Sequence, residues 1–440
     1  MASTYLSRTN SSANQQTFTI SCWVKSSTDA NQTNGVWSAG VSDNGFEMYF
    51  DSKFKFRYYT AASYANGDLV TDGRYRDCNG WYHWVCVADT TNATAGDRLR
   101  MYINGERITS FSSELYPSLN YNYAQVANNT VNVGWYNQLV GSTYFLNGSL
   151  AHYHYCDGYA YQASDFGETD STSGVWKPKT APSVSYGTNG FFLKFANSAS
   201  LGTDSSGNGN NLTVNGSGTQ TLDTPSNVYA TLNALKKLTG TLSNGNLTWL
   251  ANGDNGVWST IGANKGKWYW ETQVNADPVM MGIASENVQQ TTDRSTNTGV
   301  YGMQNGTTYG FYRNNGTSGQ STGFPQVAAG SSVINHALDL DNGKYFMGVD
   351  GVYKDLSGTA SDAAAGTNPT FSSIDTNLFW FPFVECRGTS ASCDVNFGNG
   401  YFGTTVISSP NNDGAGEGKF AYAPPTGYYA LNTKNLKTYG

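Results

Sequence analysis

Charge is scarce in this 440-residue chain. Asp, Glu, Lys and Arg together make up 13 % of it, the formal net charge is −7, and no run of Lys or Arg occurs. A nucleic-acid partner needs a basic stripe to displace counterions, so that class of function is disfavoured. No apolar stretch approaches the roughly 20 residues that span a bilayer, which argues against membrane insertion. Met1-Ala2-Ser3-Thr4-Tyr5 runs directly into polar, strand-like sequence with no signal peptide, so assembly in a cytoplasm is expected. Asn-x-Ser/Thr triplets such as Asn92-Ala93-Thr94 then read as by-products of composition, not glycosylation sites. Histidine is also scarce, with four in all, so no Ser-His-Asp or Cys-His constellation can be ordered. The six cysteines show no C-x-x-C metal spacing. Cys386 and Cys393 flank a short turn that would suit a hairpin disulfide, although reduced thiols fit a cytoplasmic assembly better. Heptad and collagen-like repeats are absent, which leaves nothing to build a trimeric shaft.

What the chain has instead is Gly, Asn, Ser, Thr and aromatics. Its mean hydropathy is −0.45, yet 11 Trp, 30 Tyr and 21 Phe can fill large cores, and 50 Gly supply positive-φ turns. Nearly every periodic segment alternates with period two. In Thr17 to Lys25, residues Phe18, Ile20, Cys22 and Val24 share one face. Leu99, Met101 and Ile103 do the same in a strand that ends at Asn104-Gly105, a type I′ hairpin signal. Trp81 to Ala88 reads as a central strand with both faces covered. Ser226 to Lys237 is the best candidate for a helix. The fold class that follows is all-β, with two antiparallel β-sandwich domains. The expected division is a first domain over 1–182, a connecting segment over 183–225 that contains a late closing strand of the first domain, and a second domain over 226–440.

Five pieces in order carry a resemblance for the first half: Phe18 to Lys25, Gly80 to Val87, Leu99 to Gly105, Val133-Gly134 and Leu146 to Leu150. Together they resemble the laminin-G-like, concanavalin A-like jelly rolls, which are lectin-like folds. Asp204 to Asn211 looks like the loop that usually follows the first strand of such folds, so a permuted strand order is expected. In the second half Lys265-Gly-Lys-Trp-Tyr-Trp-Glu271, Met281 to Ala284, Ala337 to Gly343, Phe379 to Val384 and Val395 to Gly398 resemble SPRY domains. The combination, with Tyr5 to Thr9 and Phe166 to Trp176, is similar to virion proteins of tailed phages. That similarity implies location on a virion, other virion proteins as partners, and a homo-oligomer or many copies per particle.

A glycoside hydrolase of this fold needs paired carboxylates on one strand face, and Glu47, Glu106, Glu114 and Glu168 stand apart. His152 and His154 form an H-x-H pair, readable as metal ligands or as histidines satisfied among tyrosines. The oxygens of Asp204, Asn208 and Asn210 would suit Ca²⁺, the one cofactor considered, although a Gly/Asn turn has the same composition. Sugar rings stack on exposed aromatic faces beside amides. That chemistry singles out Trp135, Tyr136 and Asn137 first, then Trp37 and Tyr59, with Tyr58, Tyr309 and Tyr312 behind them. The expected function is therefore a non-enzymatic virion surface protein (fibre, spike or head appendage) that binds host-surface polysaccharide. A capsid decoration or cement protein is the alternative, and a polysaccharide hydrolase the lesser one.

Overall fold

The computed structural model describes residues 4–12, 14–28, 32–41, 44–60, 63–136, 144–276, 278–289, 298–305 and 310–440. The chain forms two compact units, Met1–Gln220 and Thr221–Gly440. Both are built from antiparallel sheets. Among the described residues the α-helices are only Ala163–Phe166 and Thr433–Tyr439, and none is long and apolar enough to cross a membrane.

The first unit contains, in chain order, β1 (Tyr5–Thr9), β2 (Thr17–Ser26), β3 (Asn34–Val41), β4 (Asn44–Phe50), β5 (Phe54–Tyr59) and β6 (Asp68–Thr71). There follow β7 (Tyr82–Asp89), β8 (Leu99–Ile103), β9 (Glu106–Arg107), β10 (Phe111–Leu115), β11 (Thr130–Val133), β12 (Trp135–Tyr136) and β13 (Tyr144–Phe145). The last are β14 (Gly148–Asp157), β15 (Gly167–Thr169), β16 (Trp176–Pro178), β17 (Phe191–Leu193) and β18 (Thr213–Asn215). An eight-stranded sheet in the order β10-β6-β5-β4-β3-β11-β1-β18 faces a six-stranded sheet in the order β17-β14-β2-β7-β8-β9. Period-two alternation turns Phe18, Ile20, Cys22 and Val24 inward onto Phe46, Met48, Phe56, Trp84 and Met101. At Asn104-Gly105 both residues have positive φ, 50° and 91°. The turn returns β9 against β8, as a two-residue primed turn requires.

The segment 183–225 does not bridge two bodies, because most of it belongs to the first. Strand β17 pairs with β14 and β18 pairs with β1, so each sheet receives one late strand. Buried Phe191 and Leu193 explain this, since they have apolar partners only inside the first core.

The second unit is a seven-stranded sheet on a nine-stranded one. The Lys265 to Glu271 run lies at the start of the central strand Lys267–Ala276, paired with Val333–Asp339 and Ala391–Asn396. Between the sheets lie Trp249, Trp268, Trp270, Met281, Ile283, Tyr345 and Trp380. The helix expected over Ser226 to Lys237 is instead a strand, Leu232–Lys237. Leu232 and Ala234 alternate inward, and pairing with the strand Asn255–Ser259 outweighs a weak helical pattern. Cys386 and Cys393 are buried free thiols on strands of opposite sheets, not a hairpin disulfide.

Candidate functional site

Strand alternation and register build one feature that no single segment displays. Across the outer face of the eight-stranded sheet, Thr213, Ser7, Asn132, Ser38, Glu47, Arg57 and Asp68 stand in one row, each opposite the next. Their neighbours along each strand, such as Phe46, Met48, Val131 and Val133, point into the core. The centre of the row is covered. Strands β12 and β13 form a two-residue ladder over β3, and Gly35 makes room for it. A Cβ at Gly35 would overlap the Tyr136 nitrogen and the Tyr144 carbonyl oxygen. Tyr136 stacks on Tyr49 at 4.9 Å and on Tyr144 at 5.7 Å.

Beneath this cover Ser38 donates to the Trp135 carbonyl oxygen at 3.2 Å, and the Asn132 amide donates to Ser38 at 3.2 Å. Glu47 is fully buried; its Oε2 accepts from the Tyr64 hydroxyl at 3.3 Å. The Arg57 guanidinium holds both oxygens of Asp68, at 2.6 and 3.2 Å, donates to the Tyr49 hydroxyl at 3.0 Å, and lies 3.7 Å from the Tyr64 ring centre. Burial pushes the Glu47 carboxyl up to about 7, against the opposing pull of the Tyr136 and Tyr64 hydroxyls and the Arg57 charge. Three buried polar atoms here, Glu47 Oε1, Asn132 Oδ1 and Trp135 Nε1, have no hydrogen-bond partner among the described residues.

The aromatic residues singled out from sequence divide. Trp135 is partly exposed and stacks with Tyr5 at 4.5 Å and with Phe145 at 5.8 Å, which makes an aromatic platform beside the row. Tyr136 is buried beneath its own strand pair. Trp37 is fully buried in the core against Phe18, Phe46 and Tyr155, so it offers no face to a ligand. Reading it as a loop aromatic fails because it lies within β3 on the inward face. Tyr58 also points inward, whereas Tyr59 is half-buried against Tyr64 at 4.9 Å. Asn137 and Tyr309 lie outside the described residues.

The Ca²⁺ reading of Asp204, Asn208 and Asn210 is corrected by their hydrogen bonds. Asp204 accepts from the backbone nitrogens of Phe192, Ser206 and Asn210 and from the Ser206 hydroxyl, at 2.8 to 2.9 Å. Asn210 Oδ1 accepts from Arg8 at 2.9 Å, and the Asn208 amide is spent on the Gly187 and Gly190 carbonyls. The four acceptor positions of Asp204 are thus taken by N–H and O–H donors, and the Arg8 guanidinium on Asn210 Oδ1 sets a positive charge where a cation would sit, so the loop reads as a hydrogen-bonded turn.

The H-x-H pair likewise resolves into packing. His83 is stacked between Trp23 and Trp176, takes the Trp176 indole N–H on Nδ1 at 3.0 Å, and meets Ser21 Oγ through Nε2 at 2.8 Å. His154 Nδ1 meets the Tyr186 hydroxyl at 2.9 Å, and its ring lies 3.9 Å from Phe192. His152 sits at a bulge in β14 with φ 45°. Burial lowers the pKa of all three, His83 to about 3. Among the described residues no group of three or more His, Cys, Asp or Glu is placed to hold a metal.

Residues 1–165 match the family model of the concanavalin A-like lectin/glucanases superfamily. No curated protein matches the chain. Among solved structures, the SPRY domain of human HERC1 is 13 % identical, with 37 % of this chain and 96 % of that one covered and a TM-score of 0.28. The TRIM65 PSpry domain is 12 % identical, with 38 % and 91 % covered and a TM-score of 0.29. A heptameric SAP-like pentraxin from Limulus polyphemus is 18 % identical, with 36 % and 71 % covered and a TM-score of 0.27.

Gly35 was not singled out from sequence, and Glu47 was weighed there only as an isolated carboxylate. The signal was present in Asn44-Gly-Phe-Glu-Met-Tyr-Phe50, where alternation puts Glu47 and Tyr49 opposite Phe46, Met48 and Phe50. The row across seven strands had no such signal, because register joins residues far apart in sequence.

Proposed function

We propose that the first sandwich binds host-surface polysaccharide. On this reading the chain is a non-enzymatic, multi-copy surface component of a tailed-phage virion, placed on a fibre, spike or head appendage. The observation that carries the binding is the Trp135 platform, a partly exposed indole stacked with Tyr5 and Phe145 beside a row of hydroxyl, amide and carboxyl groups. Sugars are recognised by that pairing of ring face and polar edge. The lectin-like family match over residues 1–165 supports it. The absence of hydrolysis is supported by the row's second carboxylate, Asp68, which lies across Arg57 from Glu47 and is closed by that guanidinium. A hydrolytic pair requires two carboxylates free to act on one bond.

A second reading, a capsid decoration or cement protein, is favoured by edge strand β10. Leu115 and nearby Leu119 are 46 % and 49 % exposed there, and an open sheet edge is a template for a neighbouring chain. A glycan array with the wild type and Trp135→Ala separates the two. Binding to a host polysaccharide that the variant loses supports the first. Saturable binding to bare capsids with no glycan bound overturns it. Release of reducing ends from host envelope would overturn the non-enzymatic reading.

A further inference from the structure

We infer that the hairpin of β15 and β16 is an acid-released latch: Trp176 fastens it to His83, and a proton on His83 breaks that bond and bares the apolar outer face of the six-stranded sheet. The hairpin pairs only with itself and joins neither main sheet of the first unit. Its seat is made by the Trp176 indole, which lies between two glycines. A Cβ at Gly105 would stand 3.0 Å from that ring, and one at Gly167 would overlap it. On the outer face Val85, Val87 and Tyr102 form one buried cluster with Ala163 of the short helix Ala163–Phe166, and Trp176 packs against it.

The bond admits one protonation state. An indole N–H can only donate, so His83 Nδ1, 3.0 Å from Trp176 Nε1, presents a lone pair. The ring's proton is then on Nε2, which donates to Ser21 Oγ at 2.8 Å. A second proton would go to Nδ1 and set two N–H groups face to face. His83 is fully buried, so the displaced donors have no solvent to turn to.

The surroundings supply no negative charge to a protonated ring. Trp23 of β2 and Trp176 of β16 cover its two faces, and neutral Asn104 stands beside it at the β8 turn. The titratable groups on the same sheet face are Lys25 on β2, His152 and His154 on β14, and Lys194 after β17. The hairpin's own carboxylates, Glu168 and Asp170, are paired with Lys177 at 3.6 and 2.9 Å. Lys177 and the Ser173 turn hold the Asp170 carboxyl well below its usual range, so the hairpin keeps its shape while the latch opens. Burial and the neighbouring His152 hold the closed His83 at about 3 against an ordinary 6.5. The closed state is therefore favoured above 6.5, and that advantage is lost as pH falls towards 3. One proton enters per opening, so local opening should grow about tenfold per pH unit across that window. His154 makes no such latch, because the Tyr186 hydroxyl at its Nδ1 accepts as readily as it donates.

The test is amide exchange on the full chain, corrected for intrinsic rates, between about pH 7 and 4, with anilinonaphthalene sulfonate fluorescence to report apolar surface. The proteins are wild type, His83→Gln, Trp176→Phe and His154→Gln. In the wild type, opening of residues 167–178 should rise about tenfold per pH unit below 6.5 while β2 and β7 stay protected, and dye binding should rise with it. His83→Gln keeps an acceptor for Trp176 and a donor for Ser21 but does not titrate, so it should flatten the slope. Trp176→Phe removes the bond at every pH and should leave the hairpin open at least about tenfold more often at neutrality. His154→Gln should keep the wild-type slope. The latch is overturned if wild-type opening of 167–178 does not change with pH, if it occurs only together with β2 and β7, or if His83→Gln keeps the slope. Should His83→Gln fail to fold, Trp176→Phe decides: wild-type protection of its hairpin at neutral pH overturns the latch as well.

Discussion

Among the described residues both sandwiches bury glutamate on the outer face of a central strand, and Glu47 in the first unit and Glu271 in the second make the comparison. Their surroundings differ. Glu271 accepts from the Tyr269 hydroxyl at 2.9 Å, the Asn396 amide at 3.1 Å, and the backbone nitrogens of Ala421 and Tyr422 at 2.9 and 2.8 Å. Those last two bonds fasten the C-terminal segment over the sheet, where Phe420, Tyr428 and Ala430 pack on Tyr269 and Phe346. Glu47 accepts at 3.3 Å from Tyr64, and its other oxygen has no partner. The comparison separates a structural acid from an available one. A carboxylate with four donors is part of the scaffold, whereas one left half-satisfied under a small strand pair is a group with unused bonding capacity.

The histidines extend the contrast and give the largest expected effect. The first unit holds three imidazoles whose pKa values burial lowers, His83 and His154 buried and His152 half-buried; the second buries His336, lowered to about 3. A histidine whose folded pKa lies below its unfolded 6.5 contributes stability that is present above 6.5 and lost as pH falls. Each costs about 1.4 kcal/mol per pH unit across that window. Glu47 acts in the opposite sense between about 7 and 4.5 but offsets only one of the three. Acid titration followed by amide exchange should therefore show protection lost in Met1–Gln220 at higher pH than in Thr221–Gly440. The reverse order would remove the asymmetry.

Next in size, Glu271→Ala leaves four donors without their acceptor and should cost about 3–5 kcal/mol. Chemical denaturation measures the loss, and limited proteolysis after Phe397 reports release of the C-terminal segment. Glu47→Gln should do the opposite at alkaline pH. Because the folded carboxyl titrates at about 7 against 4.5 when unfolded, its contribution is complete below 4.5 and lost as pH rises through 7. The variant should gain up to about 3 kcal/mol at pH 8 and nothing at pH 4, read from melts at both. A loss at pH 8 would mean that Glu47 is as structural as Glu271.

Gly35→Ala, which forces β12 and β13 from the sheet, should cost about 1–3 kcal/mol. It should also change Trp135 fluorescence while the second unit melts unchanged. The smallest effect is expected from chelation. With the Asp204 loop filled by its own donors, adding Ca²⁺ or a chelator should leave the melting of the first unit where it was.

Much of the fold was legible because a strand's side chains alternate over a few residues, and local sequence holds that pattern. The inward faces of β2 and β8, the Asn104-Gly105 hairpin and the central Lys267–Ala276 strand all follow from it. The site was legible only in fragments. Trp135, singled out among the amides of its segment, is partly exposed in a stack with Tyr5 and Phe145. Trp37, chosen on the same grounds, proved to be core, because composition does not say which face of a strand a residue takes.

Alternation and turn chemistry, both local, thus determined the all-β class and most strands. Tertiary structure decided which residues share a row, which acid keeps an unused oxygen, and whether Asp204 meets donors or a cation. Those outcomes depend on register between strands up to about two hundred positions apart, such as β1 and β18. No window of sequence contains that information, because the partner that satisfies or buries a group arrives from elsewhere in the chain.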